Sequence, residues 1–249
     1  MITFDSLSFG YGDDLTFNDL SLSWQEGCIT GLVGPNGSGK STCLKLAAGL
    51  LIAQQGEITI DGVSLHDLKG RSLAQQVSYL PQNRPVPMIT VRSLVSHGRF
   101  PHVGLGRRLT SKDEEAVDRA LALTGLEALA HRDLRTLSGG QQQKAYLALM
   151  MAQDAPHVLL DEPTTYLDIR HQLELMTLLK TFKAAGKCVV VVLHDLNQAM
   201  ALCDQVQVLS RGQLLYTGSP AHMPTSGAIE AAFGVRPIPH KGFEFELMA

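Results

Sequence analysis

The sequence predicts an α/β fold: a buried parallel sheet with its ligand along one edge, antiparallel strands beside it and a helical insertion in the middle. Three observations carry this. Near-continuous apolar runs at residues 29–33, 158–160 and 189–193 end on a glycine-rich turn in the first case and on polar residues in the other two, as parallel strands covered on both faces do. The first run leads into Gly34, Pro35, Asn36, Gly37, Ser38, Gly39, Lys40 and Ser41, which fit the phosphate-cradling pattern G-x-x-x-x-G-K-[ST]. Between about residues 83 and 150 the strand signals vanish and helical spacing takes over.

Taken in order, Leu20, Leu22 and Trp24 alternate with Ser21 and Ser23, and Ile58 and Ile60 repeat that period, which predicts half-buried antiparallel strands. Within the insertion, Ser111 to Glu114 reads as a capping box. Val117, Ala120, Leu121 and Thr124 follow at helical spacing, with Gly125 as the stop. A second helix is expected over 168–184, with Ile169, Leu173, Met176 and Leu179 on its buried face and Gly186 beyond its end. The last thirty residues contain Pro220, Pro224, Pro237 and Pro239 and little periodicity, so they read as an appended tail. The catalytic unit is placed at 1–235, its helical part at about 83–150, and the tail proper at 236–249. No internal repeat or coiled-coil heptad is visible.

At 249 residues and 45% apolar content the chain suits one large domain with a full core. A formal charge of −3 without a basic block argues against nucleic acid as a partner. Cys28, Cys43, Cys188 and Cys203 are far apart and lack metal-ligand spacing, so they read as small buried thiols of a reducing compartment. The start Met1-Ile2-Thr3-Phe4-Asp5 lacks signal-peptide character. The longest apolar run, 189–193, falls far short of the ~20 residues of a membrane span. The expectation is a cytosolic chain that reaches a membrane only through a partner.

The chemistry begins at the glycine-rich loop. Gly34, Gly37 and Gly39 let backbone N–H groups turn toward phosphates, beside Pro35, Asn36 and Ser38, and the helix that follows offers its positive end. Lys40 reaches the β- and γ-phosphates of a nucleotide, the Ser41 hydroxyl ligates Mg²⁺, and Thr42 adds a second hydroxyl. A strand ending in Asp161 and Glu162 supplies two carboxylates. Asp161 would hold Mg²⁺ and Glu162 would polarise the attacking water. Adjacent carboxylates also cap ordinary helices; behind a phosphate loop the catalytic role is favoured. Gln82, after the strand 77–80, can bridge the metal and water to the helical insertion. His194 arrives at the sheet edge after 189–193, where it can hold the γ-phosphate. Tyr11 is early enough to stack under a base, with Phe9 or Phe17 as substitutes.

Leu137, Ser138, Gly139, Gly140 and Gln141 precede an apolar helix. A hydroxyl, bare glycine N–H groups and a helix N-terminus make a second phosphate-binding surface. One chain cannot close both surfaces on one ATP, whereas a head-to-tail homodimer can, giving two composite sites.

With its motifs in this order, the chain resembles the ATP-binding subunit of ABC transporters over essentially its full length. The resemblance makes 34–41 the Walker A motif, 158–162 Walker B with Glu162 as catalytic glutamate, and 137–141 the signature. It places Gln82 in the Q-loop, His194 as the switch histidine, Tyr11 under the adenine and Asp168 at the end of the D-loop across the dimer seam. It implies a RecA-like P-loop NTPase core with an antiparallel β-subdomain and a helical subdomain, ATP and Mg²⁺ as cofactors, and ATP hydrolysis coupled to transport. It further implies a peripheral position on the cytoplasmic side of the cell membrane. The partners would be transmembrane permease subunits and, indirectly, an external substrate-binding protein.

Thr165 and Tyr166 within 162–169, together with the stretches 90–101 and 193–199, resemble the import branch that serves ferric siderophores, ferric citrate, haem and cobalamin. An exporter subunit, or a non-transport ATPase acting on DNA or ribosomes, is the alternative. The latter usually carries a long coiled coil or two cassettes, and neither is seen here. Lys144 departs from the arginine of many relatives, and without that rigid fork a looser ion pair is expected.

Overall fold

The computed structural model describes residues 1–12, 14–103, 108–165, 167–238 and 244–247. An antiparallel pair, β1 (Ile2–Tyr11) and β2 (Asp14–Trp24), leads to β3 (Ile29–Val33), the phosphate loop and α1 (Lys40–Ala47). The hairpin β4 (Gln55–Ile60) and β5 (Val63–Ser64) follows, then α2 (Arg71–Gln76) and β6 (Val77–Leu80). The insertion holds α3 (Val91–His97), α4 (Phe100–Val103), α5 (Ser111–Thr124) and α6 (Gly139–Gln153). The chain then alternates β7 (His157–Leu160), α7 (Ile169–Ala184), β8 (Cys188–Val192), α8 (Leu196–Leu202), β9 (Gln205–Ser210) and β10 (Gln213–Gly218). It finishes with α9 (Ala228–Phe233), β11 (Val235–Ile238) and β12 (Glu244–Leu247).

The main sheet runs β10-β9-β3-β8-β7-β6, parallel from β9 to β6, with β10 antiparallel at the edge. A separate antiparallel sheet is ordered β2-β1-β4-β5. The expected α/β architecture is therefore present. Alternation explains why the parallel strands read as unbroken apolar runs. Val189 and Val191 of β8 pack with Leu175, Leu179 and Phe182 of α7, while Val190 and Val192 face Leu44, Leu46 and Trp24. Leu20, Leu22 and Trp24 bury the inner face of β2, as their period requires.

Three expectations need correction. The buried face of α7 is Leu175, Leu178, Leu179 and Phe182, whereas Ile169 and Leu173 are 76% and 60% exposed. Burial starts only at Leu175, so the first turns stand clear of the sheet and, among the described residues, little covers Ile169 and Leu173. Second, α5 is capped by Thr110, not Ser111: its Oγ1 accepts the Asp113 N–H at 3.4 Å, and Asp113 Oδ2 accepts the Thr110 N–H at 2.9 Å. Both registers exist in the sequence. A tertiary partner favours one of them, because Arg99 Nε donates to Asp113 Oδ1 at 2.9 Å. Third, 220–233 is not a loose tail. A 3-10 turn at Pro220–Thr225 and α9 bury Met223, Ala228 and Ile229 in the cluster that holds Val206 and Val208. Beyond it, β11 and β12 pair antiparallel, and Pro239 lies outside the described residues.

The Thr110 hydroxyl foremost, then the Thr110 N–H and the Arg99 guanidinium, holds the Asp113 carboxyl at about 2, below its ordinary 3.8. A depressed carboxylate contributes stability above its ordinary value and loses it as pH falls toward the folded value. Asp113→Asn should therefore lower Tm near neutrality and flatten the fall in Tm between about pH 4 and 2. Melts recorded across that range check it; parallel curves for the two chains would remove Asp113 from the acid response.

The C-terminal end of α6 is pinned to the sheet edge. Gln153 donates to the carbonyls of Ala74 (2.7 Å) and Val77 (3.0 Å) and accepts from Ser78 Oγ at 2.8 Å. All four cysteines are buried and free, and burial pushes Cys188 and Cys203 up to about 12. Among the described residues no helix is long and apolar enough to cross a membrane.

Candidate nucleotide site

The C-terminal ends of β3, β6, β7 and β8 deliver the phosphate loop, Gln82, the carboxylate pair and His194 to one edge of the sheet, where open α/β sheets bind ligands. The loop leaves β3 through Gly34, where a Cβ would stand 2.0 Å from the Leu209 carbonyl oxygen. It enters α1 through Gly39, whose φ is 100° and whose face is covered by the Phe17 ring at 2.4 Å from a Cβ position. Gly39 offers no capping side chain, so the first N–H groups of α1 are left for a ligand. Lys40, 5% exposed, lays its Nζ across the loop and donates to the carbonyls of Gly34 and Pro35 at 2.9 Å each. Burial pushes the Lys40 pKa down, against the raising influence of Glu162 and Asp161. Ser38 is buried, with its Oγ 3.5 Å from that Nζ.

Behind the loop, Asp161 is 3% exposed and accepts from Ser41 Oγ at 2.7 Å and from Tyr79 OH at 3.3 Å. Burial pushes its carboxyl up, reinforced by the Glu162 charge and moderated by those two hydroxyls. Tyr79 in turn titrates above the usual phenol range, through burial first and then Asp161. Glu162 has φ 50°, a left-handed backbone that costs a non-glycine residue energy and is concentrated at functional sites. Its Oε2 accepts from Gln82 Nε2 and, at 3.3 Å, from Thr165 Oγ1, while His194 Nε2 lies 2.5 Å from its Oε1. Gln82 and His194, predicted separately, thus meet on one carboxylate.

These groups open onto a cavity of about 510 Å³ lined by Tyr11, Thr16, Asn36, Gly37, Gly39, Lys40, Ser41, Thr42, Gln82, Glu162 and His194. Of the three aromatic candidates, Phe9 and Phe17 are buried and only Tyr11, 52% exposed, faces it, its ring set edge-on to Phe9 at 5.0 Å. Thr16 and Tyr79 escaped the sequence reading. A position on β2 beside the loop, and one on the strand flanking Asp161, are the signals that could have found them.

Ser138 caps α6: its Oγ accepts the Gln141 N–H at 3.3 Å and Gln141 Oε1 accepts the Ser138 N–H at 3.1 Å. Ser138 and Gly139 are exposed and Gly140 is buried. None of 138–141 lines the cavity. Asp168 caps α7, and its Oδ1 accepts from the His171 N–H at 2.8 Å and from His171 Nδ1 at 2.7 Å. Tyr166, part of the branch-specific reading, lies outside the described residues. Lys144 makes its ion pair with Glu174 at 2.9 Å, joining α6 to α7.

Another side chain missed from sequence is Arg84. Its guanidinium stacks 4.1 Å from the Tyr146 ring centroid and donates to the Pro81 carbonyl at 3.1 Å and to Gln143 Oε1. Tyr146 OH donates to the Pro85 carbonyl at 3.0 Å, so the loop carrying Gln82 is stitched to α6. A loop arginine beside a helix tyrosine has no local signature.

A glycine loop with a buried lysine at the end of a parallel strand, and a hydroxyl-bound carboxylate on a neighbouring strand end, define a P-loop nucleoside triphosphatase. The ABC transporter family profile matches residues 17–165. The chain is 40% identical over 237 residues to the petrobactin import ATP-binding protein FpuC of Bacillus anthracis, covering 94% of this chain and 87% of that one. It is 38% identical over 234 residues to the ferric enterobactin transport ATP-binding protein FepC of Escherichia coli (strain K12), covering 93% and 86%. A solved structure described as an inward-facing ABC transporter of metal-chelate type superposes with TM-score 0.82 at 28% identity, covering 98% of this chain and 94% of that one. A dimeric post-hydrolysis structure of the ATP-binding cassette MJ0796, with ADP and Pi, gives 0.77 at 27% identity, covering 88% and 99%. The chain belongs to the ABC transporter family, and it is an ATP-binding ATPase.

Proposed function

We propose that this ATPase works as a homodimer on the cytoplasmic side of the cell membrane, peripherally, driving a permease that imports an iron chelate such as a siderophore or ferric citrate. An external binding protein would supply that substrate, with no contact to this chain. The observation that carries the dimer is the exposed, capped turn at Ser138 and Gly139, which stands outside the cavity of its own chain. A phosphate-binding turn away from its own nucleotide is of use to a second copy, and the dimeric cassette MJ0796 supports that arrangement. The import reading is supported by relatives whose names specify petrobactin, ferric enterobactin and iron(3+)-hydroxamate, each at 37–40% identity. No observation favours export or a nucleic-acid role.

In this reading, ATP lies in the cavity with its base on Tyr11 and its phosphates on the N–H groups of 34–42. Lys40 Nζ exchanges the carbonyls of Gly34 and Pro35 for β- and γ-phosphate oxygens. Ser41, Asp161 and Gln82 offer only hard oxygen donors around a buried carboxylate, which fits Mg²⁺. When bound, that ion neutralises charge developing on the phosphates. Glu162 takes the proton of the attacking water, His194 holds Glu162 and the γ-phosphate in line, and Ser138 and Gly139 of the second copy close the site. Gln82 passes the state of the site through Arg84 to α6, and the segment from Gln82 to His102 passes it to the permease.

Ser138→Ala tests the composite site. Nucleotide affinity of the dilute chain should be unchanged, whereas turnover should fall by about 100-fold, as for loss of one donor at a transition state. Fluorescent-nucleotide binding and phosphate release read the two. Loss of binding with turnover per bound nucleotide intact would reject the second-copy assignment.

A further inference from the structure

The two glycines of the signature turn serve different purposes. A Cβ at Gly139 would meet nothing within 4 Å, so that face is free for a ligand. A Cβ at Gly140 would stand 2.2 Å from His171 Cδ2, 2.6 Å from Nε2 and 2.7 Å from Cγ. Gly140 does not have a positive φ and lies in the first turn of α6, where alanine is the better helix former. Backbone conformation therefore does not require glycine there. The His171 ring does.

That ring is itself held. Its Nδ1 lies 2.7 Å from Asp168 Oδ1, the same oxygen that accepts the His171 N–H at 2.8 Å. A carboxylate only accepts, so Nδ1 carries the proton. One helical step further along each partner, Lys144 and Glu174 meet at 2.9 Å. Residues 140 and 144, and 171 and 174, share helix faces at i,i+4 and i,i+3, so α6 and α7 are clamped over consecutive turns.

We propose that His171 is a positioning residue for ATP hydrolysis, locking the Asp168 loop and the Ser138–Gly139 turn into one rigid surface that meets the nucleotide of the second copy. The assignment rests on the composite-site reading above. His171 touches no substrate. Its ring sets the distance between the Gly140 backbone and Asp168, so the two partner-facing loops arrive together when the dimer closes.

The test is a double-mutant cycle in the full chain, with Gly140→Ala, His171→Ala and the pair. His171→Ala should lower kcat about tenfold with nucleotide affinity of the dilute chain unchanged, and His171→Asn, which keeps an N–H near the Nδ1 position, should recover most of it. Gly140→Ala should lower kcat further, because its methyl meets the ring. Adding His171→Ala to it should then raise kcat by about tenfold, reversing the sign of the histidine substitution. Nucleotide binding at the cavity serves as the folding control for every variant. Losses that simply multiply, or a fully active Gly140→Ala chain, would overturn the His171 assignment. If ATP-driven dimers form normally in Glu162→Gln, the composite site survives that result. If Glu162→Gln forms no dimer with ATP, the composite site falls and the His171 assignment with it.

Discussion

Glu162→Gln should bind ATP as the native chain does, accumulate as a dimer in ATP, and turn over about 10²- to 10⁴-fold more slowly, the range of a lost general base. The substitution is nearly isosteric. Its amide oxygen can still accept from Gln82 and Thr165, which now share Glu162 Oε2, and its amide nitrogen takes the place of Oε1 beside His194 Nε2. The network therefore survives while the proton acceptor is lost. Light scattering with and without ATP, beside a phosphate-release assay, separates assembly from chemistry. Undiminished turnover would remove Glu162 from its role. Loss of ATP binding would mean that the carboxylate holds the cavity together rather than acting on water.

Lys40→Met should abolish measurable ATP binding and leave a folded chain. Charged hydrogen bonds are worth about 1.5–3 kcal/mol each, so two phosphate contacts correspond to a loss of at least about 100-fold in affinity. The stability cost is smaller because two effects oppose. The carbonyls of Gly34 and Pro35 lose their Nζ donor, but a buried ammonium, whose pKa burial lowers, is removed as well. Methionine fills the space of the lysine stem. Calorimetric titration together with a melt checks both parts, and native-like affinity would reject the placement of Nζ against the phosphates.

Much of the fold was legible because its signals are local. The apolar runs of β3, β7 and β8 are long enough to need burial on both faces, and a glycine loop between a strand and a helix has few other uses. That Gln82, Glu162 and His194 each sit just past a strand end was legible too, but their convergence depends on β6, β7 and β8 being neighbours, which no local signal gives. The errors fell where a distant element decides the outcome. Arg99 favours the Thr110 register of the α5 cap, the reach of the sheet determines which face of α7 is covered, and the β9 environment recruits Met223 and Ile229. Thr16, Tyr79, Arg84 and His171 stayed invisible for the same reason. Each depends on which pieces of chain touch, and no periodicity encodes that.

The anchoring of Gln153 gives α6 the mechanics of a lever. Three hydrogen bonds to Ala74, Val77 and Ser78 make its C-terminal end a fulcrum on the sheet edge. At 1.5 Å per residue the helix is roughly 22 Å long, and Ser138 rides at its far tip. Arg84 holds Gln143 in the half nearer that tip and stacks on Tyr146 at the middle of the helix. A tilt of about 10° about the fulcrum would carry Ser138 nearly 4 Å, on the order of a hydrogen-bond length, for the arm length given by the helix rise. Because Gly140 and Lys144 meet His171 and Glu174, such a tilt would carry the first turns of α7 along, so that the Ser138 turn and the Asp168 loop would swing as one body without unfolding any turn of the helix.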